Sequence, residues 1–472
     1  MIIKKTKVVC TIGPASQKVS ILEKMIRGGM NVARMNFSHG TYADFRIIIN
    51  NIRQASKNLN IPIAIMQDLQ GPKIRVGEMP AGGMKLKNGT RLTLTTRETT
   101  GTETGGKITI PIQYKNLPND VTKGDRILLC DGMIELLVLA VKEKDIFCKV
   151  IIGGLVEQHK GINVPTASIS ADPITAKDRA DLVFGLANDV DYVALSFVKN
   201  AKNIADLRNL IRNHRGRAKI IAKIERHEAI KNMEEIIHEA DGVMVARGDM
   251  GVEIPPEKVP IIQKKLISMA NLHGKPVITA TEMLQSMIEN PRATRAEVSD
   301  VANAVIDHTD AIMLSNESAV GKFPVRACQT LSKVSASTEK ELQKHYDLLP
   351  EKLFKSNQPV SYATCSAAAE LAKDIGAKII VALTNSGFTA QHIAKHRIYI
   401  PIIAITDDPK VQRQLQLVWG VNKVIVRKID LNDSTAKVRK ILIQEKLVES
   451  GDKVVIVTNA SKGEKLISTI II

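Results

Sequence analysis

Short apolar runs rich in valine, isoleucine and alanine recur along much of the chain, and most are followed by a stretch whose apolar positions repeat every three or four residues. The first pattern predicts a buried parallel strand and the second an amphipathic helix packed on it. Strands are expected at residues 5–10, 31–36, 62–68, 191–197, 219–225, 241–246, 275–281 and 310–315, and amphipathic helices follow them, for example at 19–27, 42–58, 204–213, 229–238, 257–273 and 292–306. Strand followed by helix, eight times over, predicts an α/β fold of one kind, the closed (β/α)8 TIM barrel.

Between residue 68 and an expected helix at 175–188 the rhythm is lost. This segment is rich in Gly, Thr and Lys, and its apolar residues alternate singly with polar ones at 91–95, 107–110, 126–129 and 147–152, which predicts a small all-β domain inserted after strand three. Barrel active sites lie at the C-terminal ends of the strands, so an insertion there is placed to act as a lid. Beyond residue 349 a polar stretch at 350–359 reads as a linker. A second alternation then predicts an open α/β domain, with helices at 361–375, 389–396 and 434–448 and strands at 377–383, 401–406, 421–426 and 453–458. The expected organisation is therefore a barrel from 1–69 and 170–348, a β lid at 70–169 and a C-terminal α/β domain at 349–472.

Composition adds little to the fold but narrows the function. At 472 residues the chain exceeds one core, and 44% hydrophobic with 24% charged residues describes an ordinary globular protein without a bilayer-spanning run. The five cysteines are scattered and suit neither a disulfide framework nor a zinc site. With no leader-like segment at residues 1–13, a cytoplasmic protein is expected. The net charge of +17 fits either nucleic acid or phosphate-rich metabolites, and the 3% aromatic content leaves little for base stacking.

The polar residues at the strand ends carry the chemistry, because the barrel aims them into one pocket. Strand two ends in Arg34, Asn36, Ser38 and His39, and strand three in Asp68; strand five ends in Lys223 and Glu225, and strand six in Arg247, Gly248 and Asp249. Strand seven ends in Thr279 and Thr281, and strand eight in Ser315 and Glu317. Glu225 and Asp249 are hard oxygen donors from neighbouring strands and suit Mg2+. Lys223 shares its side of the strand with Glu225, where a fixed ammonium offsets charge on a transferring phosphoryl group or a developing enolate. Gly248 lets backbone amides approach an anion, and Arg34 is a forked phosphate donor. Taken singly each has a plainer reading: Lys223 and Glu225 as a surface ion pair, Asp249 and Asp68 as turn caps, Thr281 as core. Their convergence on strand ends favours phosphoryl transfer to or from a small carboxylated anion.

The segments TKVVCTIGPAS (6–16), GMNVARMNFSHG (29–40), DLQGPKIRVG (68–77), AKIER (222–226), DGVMVARGDMGVEI (241–254), TATEMLQSMI (279–288) and DAIMLSNESAVGKFP (310–324), in that order, resemble the pyruvate kinase family, and KGINVP (160–165) extends the likeness into the lid. The resemblance implies transfer of the phosphoryl group of phosphoenolpyruvate to ADP, giving pyruvate and ATP, the final step of glycolysis, with Mg2+ or Mn2+. It implies that Arg34 binds the transferring phosphoryl group and that Lys223 stabilises the transition state. Glu225 and Asp249 would ligate the metal, and Gly248, Asp249 and Thr281 would hold the substrate carboxylate. Thr281 would stand near the face where the enolate is protonated, with Ser315 and Glu317 supporting it. Asn36, Arg75 and Lys160 would contact the nucleotide. A homotetramer is implied, with neither nucleic acid nor a membrane as partner.

Two departures from the family pattern bear on ions. Asn36, Ser38, Asp68 and the Leu69 carbonyl occupy the family's monovalent-cation positions, but Leu69-Gln70 replaces a Thr-Lys pair, and Lys73 replaces a glutamate. The pattern resembles the K+-independent branch, with the Lys73 ammonium standing in for K+, so no K+ requirement is expected; the plainer alternative leaves Lys73 in solvent. Arg226 and Asn316 also depart from the usual residues. The loop of Thr384, Asn385, Ser386, Gly387 and Thr389 resembles an effector-phosphate loop and equally reads as a plain helix start. Two rivals remain open on sequence: another phosphoenolpyruvate- or pyruvate-handling barrel, and a basic nucleic-acid binder on an inactive scaffold.

Overall fold

The structure, a computed structural model, describes residues 4–344, 359–428, 434–459 and 465–472. All eight expected barrel strands form: Lys7–Thr11, Val32–Asn36, Ala64–Asp68, Tyr192–Leu195, Lys219–Ile224, Gly242–Ala246, Val277–Ala280 and Ala311–Leu314. Each pairs in parallel with its neighbours in chain order, and strand eight closes on strand one. Alternate residues serve two cores. Ala33, Met35, Ile220, Ala222 and Ile224 pack outward under the helices, while Val32, Met66, Ile221 and Met244 fill the inside of the barrel. The same two-residue period carries Arg34, Asp68, Lys223 and Glu225 inward at the upper ends.

Three of the barrel helices begin at a reciprocal cap. Thr41 with Asp44, Thr175 with Asp178 and Thr294 with Glu297 form reciprocal capping boxes at Tyr42–Leu59, Ala176–Ala187 and Arg295–Ile306. The helix expected at 229–238 is instead two pieces, His227–Lys231 and Met233–Glu239, joined at Asn232, whose side-chain amide donates to the Lys199 carbonyl at 2.8 Å. The one expected at 257–273 opens as a single 3-10 turn, Pro256–Lys258, before Val259–Leu272, with Pro260 at the start.

The segment after strand three forms a seven-stranded sheet and a two-stranded ribbon around a core of its own, which includes Leu94, Ile110, Ile127, Leu136 and Val150. The C-terminal region holds a five-stranded sheet in the order Val421–Val426, Ile402–Thr406, Ile379–Leu383, Lys453–Asn459, Lys465–Ile471; the last strand is antiparallel and was not expected, nor was the helix Pro409–Gln414. Most of the expected linker at 350–359 lies outside the described residues.

This C-terminal domain is seated on the lower end of the barrel. Leu417 is fully buried and joins the apolar cluster inside the barrel with Val32, Ala64, Tyr192 and Ile221. Around it, Arg397 binds Asp310 at 2.7 Å, Arg413 binds Asp191 at 2.8 Å, and the Lys7 ammonium donates to the Val421 carbonyl at 2.6 Å.

Candidate active site

At the upper end of the barrel the inward side chains of strands two to five meet. The Arg34 Nε donates to Asp68 Oδ2 at 2.7 Å and its Nη1 to Thr11 Oγ1 at 2.8 Å, which leaves Nη2 for an incoming anion. Lys223 Nζ donates to Ser196 Oγ at 2.8 Å and lies 3.6 Å from Asp68 and 3.3 Å from Glu225 Oε2. Ser196 in turn donates to the Leu69 carbonyl at 2.7 Å. Glu225 Oε1 accepts the Phe197 amide at 2.6 Å, and Phe197 itself has φ +57°, a left-handed turn that brings its amide to the carboxylate.

The charges are unequal in their commitment. Burial opposes ionisation of Asp68, but Lys223, Arg34 and Lys73 outweigh it and hold its carboxyl below the ordinary aspartate value. Burial also works against the Lys223 ammonium, yet Asp68, Glu225 and Asp249 raise its pKa well above that of a free lysine. Glu225 is the group that gives way: burial, reinforced by Asp249 and opposed by Lys223, lifts its carboxyl to about 7. Its Oε2 is buried without a hydrogen-bond donor. A hard cation beside Glu225 and Asp249 would restore the ionised form, so the donor set fits a divalent metal.

Opposite these groups the chain after strand seven is strained, with Thr281 at φ +67° and Glu282 at φ +54°. Arg247 braces it, donating to the Ala280 carbonyl at 3.1 Å, the Thr281 carbonyl at 2.7 Å and Asp300 at 2.8 Å. The brace aims the Thr281 hydroxyl at the start of the helix Arg247–Glu253, where it accepts the Gly248 amide at 2.8 Å. Glu317 fixes the far side of the same loop, accepting the Leu284 amide at 3.1 Å and the Ser315 amide at 2.8 Å.

Not every strand-end residue joins. Thr279 has the opposite parity and bonds Thr309 at 3.0 Å outside the barrel, which corrects the expectation that it faces the pocket, and Arg247 spends its guanidinium on bracing the loop after strand seven. Asn36 accepts the Ser38 amide at 3.1 Å. Arg75 donates to the His159 carbonyl at 2.9 Å and Lys160 pairs with Glu157 at 3.0 Å, both contacts within the β unit. Lys73 is exposed at the rim, yet its ammonium is pulled down by partial burial and by Lys223 and feels Asp249, Arg75 and Asp68. In the C-terminal loop Thr384 accepts the Gly387 amide at 2.9 Å, Gly387 is left-handed at φ +87°, and Thr389 is buried. Thr11 and Ser196 were missed from sequence. Their parity with Val9 and with Tyr192 and Ala194, which line the barrel interior, was the available signal.

Beside the pocket, His227, Glu228 and Glu253 gather three potential metal-ligand atoms within 4.8 Å of one another. Arg226 is planted among them, with Nε 3.0 Å from Glu228 and Nη1 3.7 Å from Glu253, and supplies the positive charge there.

A (β/α)8 barrel with an inserted β unit, paired carboxylates, an enclosed lysine and a forked arginine at the strand ends defines a phosphotransferase built for a small anionic substrate. Comparison with known proteins makes this specific. Residues 3–328 match the family model "Pyruvate kinase, barrel domain" and residues 362–472 "Pyruvate kinase, alpha/beta domain". Among curated relatives, "Pyruvate kinase 2" of Synechocystis sp. is 46% identical over 465 residues, covering 98% of this chain and 77% of that one. The pyruvate kinase of Geobacillus stearothermophilus is 44% identical, covering 98% and 78%. A crystal structure of a pyruvate kinase from Cryptosporidium parvum superposes with a TM-score of 0.92 at 37% identity, covering 99% of this chain and 96% of that one. The chain belongs to the pyruvate kinase family, and its reaction is phosphoryl transfer between phosphoenolpyruvate and ADP. The family generally needs a divalent metal. Among the described residues no helix is long and apolar enough to cross a membrane.

Proposed function

We propose that the mouth of the barrel binds phosphoenolpyruvate beside Mg2+ or Mn2+ held by Glu225 and Asp249, and that the β unit closes over ADP as a lid. The observation that carries this is the buried, undonated Oε2 of Glu225 next to Lys223 and Asp249. When bound there, the cation would supply positive charge that offsets charge on the moving phosphoryl group. Arg34, held by Asp68 and Thr11, offers its remaining fork to that phosphoryl group. Lys223, kept protonated, faces the charge that develops on the enolate oxygen. The amides of Gly248 and Asp249 and the Thr281 hydroxyl take the carboxylate; Thr281 stands on the face where the enolate carbon gains its proton, in a loop fixed by Glu317. Asn36, Arg75 and Lys160 bind the nucleotide phosphates from opposite sides of the cleft.

The same reading makes the enzyme independent of K+, Lys73 supplying the charge that K+ otherwise brings to Asn36, Ser38, Asp68 and the Leu69 carbonyl. Support comes from the coupling of Lys73 to Asp68 and from Ser196 already satisfying the Leu69 carbonyl. Full activity is expected with Mg2+ alone, tetramethylammonium holding ionic strength, and K+ dependence in Lys73→Glu. Strong K+ activation of the native enzyme at constant ionic strength would overturn it. We further read the protein as a cytoplasmic homotetramer. In support, no disulfide forms among the described residues, and Ile261, Val298 and Ile306 are exposed on barrel helices. Light scattering coupled to gel filtration decides the assembly. The Thr384–Thr389 loop, hydroxyl-rich and glycine-turned, is read as an effector-phosphate loop, tested by sugar-phosphate activation of Ser386→Ala against native enzyme.

A further inference from the structure

A buried ionic cluster joins three parts of the molecule just outside the pocket. Arg226 follows Glu225 directly, and its side chain is 4% exposed. Its fork meets Glu228 through Nε at 3.0 Å and Nη2 at 3.2 Å, reaches the Ala167 carbonyl at 3.4 Å, and faces Glu253 at 3.7 Å. Each carboxylate also holds the chain returning from the β unit to the barrel: Glu228 accepts the Ser168 hydroxyl at 3.0 Å, and Glu253 accepts the Asn163 amide at 3.3 Å. Glu253 closes the helix whose first turn carries Gly248 and Asp249. His227 completes the cluster, 3.2 Å from Glu253 and 3.3 Å from Glu228. One guanidinium thus ties together the end of strand five, the far end of the Asp249 helix and the return strand of the β unit.

We propose that Arg226 is a positioning residue for phosphoryl transfer, a latch that fixes the angle of the lid relative to the divalent-metal site and thereby sets nucleotide affinity. This rests on the reading of the β unit as a lid. A planar five-donor fork suits the task because it fixes direction as well as distance, whereas an ammonium would neutralise the same carboxylates without orienting them. Residues 160–168 lead from Lys160 to the latch, so a shift at Asn163 and Ser168 moves the nucleotide contact, while Arg34, Lys223 and Thr281 are anchored elsewhere.

The test compares Arg226→Met, Arg226→Lys, the triple variant Arg226→Met/Glu228→Gln/Glu253→Gln, which removes both carboxylates along with the guanidinium, and Lys160→Met, in the full chain. Arg226→Met and the triple variant are each expected to raise KM for ADP about tenfold and leave KM for phosphoenolpyruvate within about twofold, with Arg226→Lys intermediate. Amide hydrogen exchange at 162–168 should quicken in the metal-free protein while that of the barrel strands is unchanged. The triple variant keeps the question open to measurement if the single one folds poorly, since it leaves no unpaired buried charge. An unchanged KM for ADP with unchanged exchange at 162–168, or equal rises in both KM values, overturns the latch. If Lys160→Met raises KM for ADP and Arg226→Met does not, the latch alone fails. If neither does, the lid reading has failed as well.

Discussion

Replacing Lys223 with methionine removes one charge from a pocket where three groups depend on it. Its ammonium lies 3.3 Å from Glu225 and 3.6 Å from Asp68, in a side chain 12% exposed. At an effective dielectric of about 20, each contact is worth roughly 5 kcal/mol before desolvation is subtracted. Arg34 remains on Asp68, and Glu225 can take a proton, so the net destabilisation is expected at the lower end of the roughly 3–5 kcal/mol found when one member of a buried pair is lost. The cost in turnover is separate and larger: losing a preorganised charge aimed at the transition state lowers kcat by about a hundredfold or more. The two effects part on adding Mg2+. A divalent cation on Glu225 and Asp249 returns positive charge to the cluster, so the urea midpoint of Lys223→Met should recover with Mg2+ while kcat does not. Near-normal kcat, or recovery of kcat and stability together, would refute the role given to Lys223.

Deleting residues 71–168 should leave a barrel that binds oxalate with Mg2+ by calorimetry but makes no pyruvate from phosphoenolpyruvate and ADP, because the deleted unit has its own core and carries Arg75 and Lys160; measurable pyruvate would contradict the lid. Leu417→Ala should lower stability by about 3 kcal/mol, the usual cost of emptying a fully buried leucine site, and a loss under about 1 kcal/mol by chemical denaturation would show that the barrel floor does not need it. His308, half-buried beside Arg397, has its pKa depressed to about 4 by desolvation and by that guanidinium, so the folded state resists a proton that the unfolded chain accepts near 6.5. Its contribution is present above pH 6.5 and is lost as pH falls towards 4, by at most about 1.4 kcal/mol per unit. His308→Gln should flatten that part of the stability profile measured by urea titration.

Much of the site was legible because a parallel strand in a closed barrel reduces position to parity. Once Ile221 is inside, Lys223 and Glu225 must be, and the same step links Val32 to Arg34 and Asn36. Thr279 shows the limit. Its hydroxyl looked functional, but Ile278 and Ala280 line the interior and turn it outward to Thr309. Ser196 obeyed the parity rule and was passed over, since a serine inside an apolar run carries no signal of its own. The latch lay beyond sequence altogether: Arg226 was visible as a departure, but Asn163 and Glu253, ninety positions apart, meet only in three dimensions. The final strand, Lys465–Ile471, carries its apolar residues as two adjacent pairs on either side of Ser468 and Thr469 at a sheet edge, so the two-residue strand period is not expressed.

Leu417 changes what the word domain means in this molecule. A barrel is usually a container that supplies its own bottom; here the bottom is a leucine lent by a 3-10 turn of the neighbouring domain and ringed by ion pairs to Asp191 and Asp310. The two units therefore share an inside: Leu417 belongs to the same apolar cluster as Met66, Ile221 and Met244, and Met66 and Ile221 stand two positions before Asp68 and Lys223 on their strands. Shuffling the C-terminal domain between homologous genes would exchange the stopper of the vessel along with the domain itself. Hybrids should tolerate that exchange only where the plug and the ring around it travel as one piece.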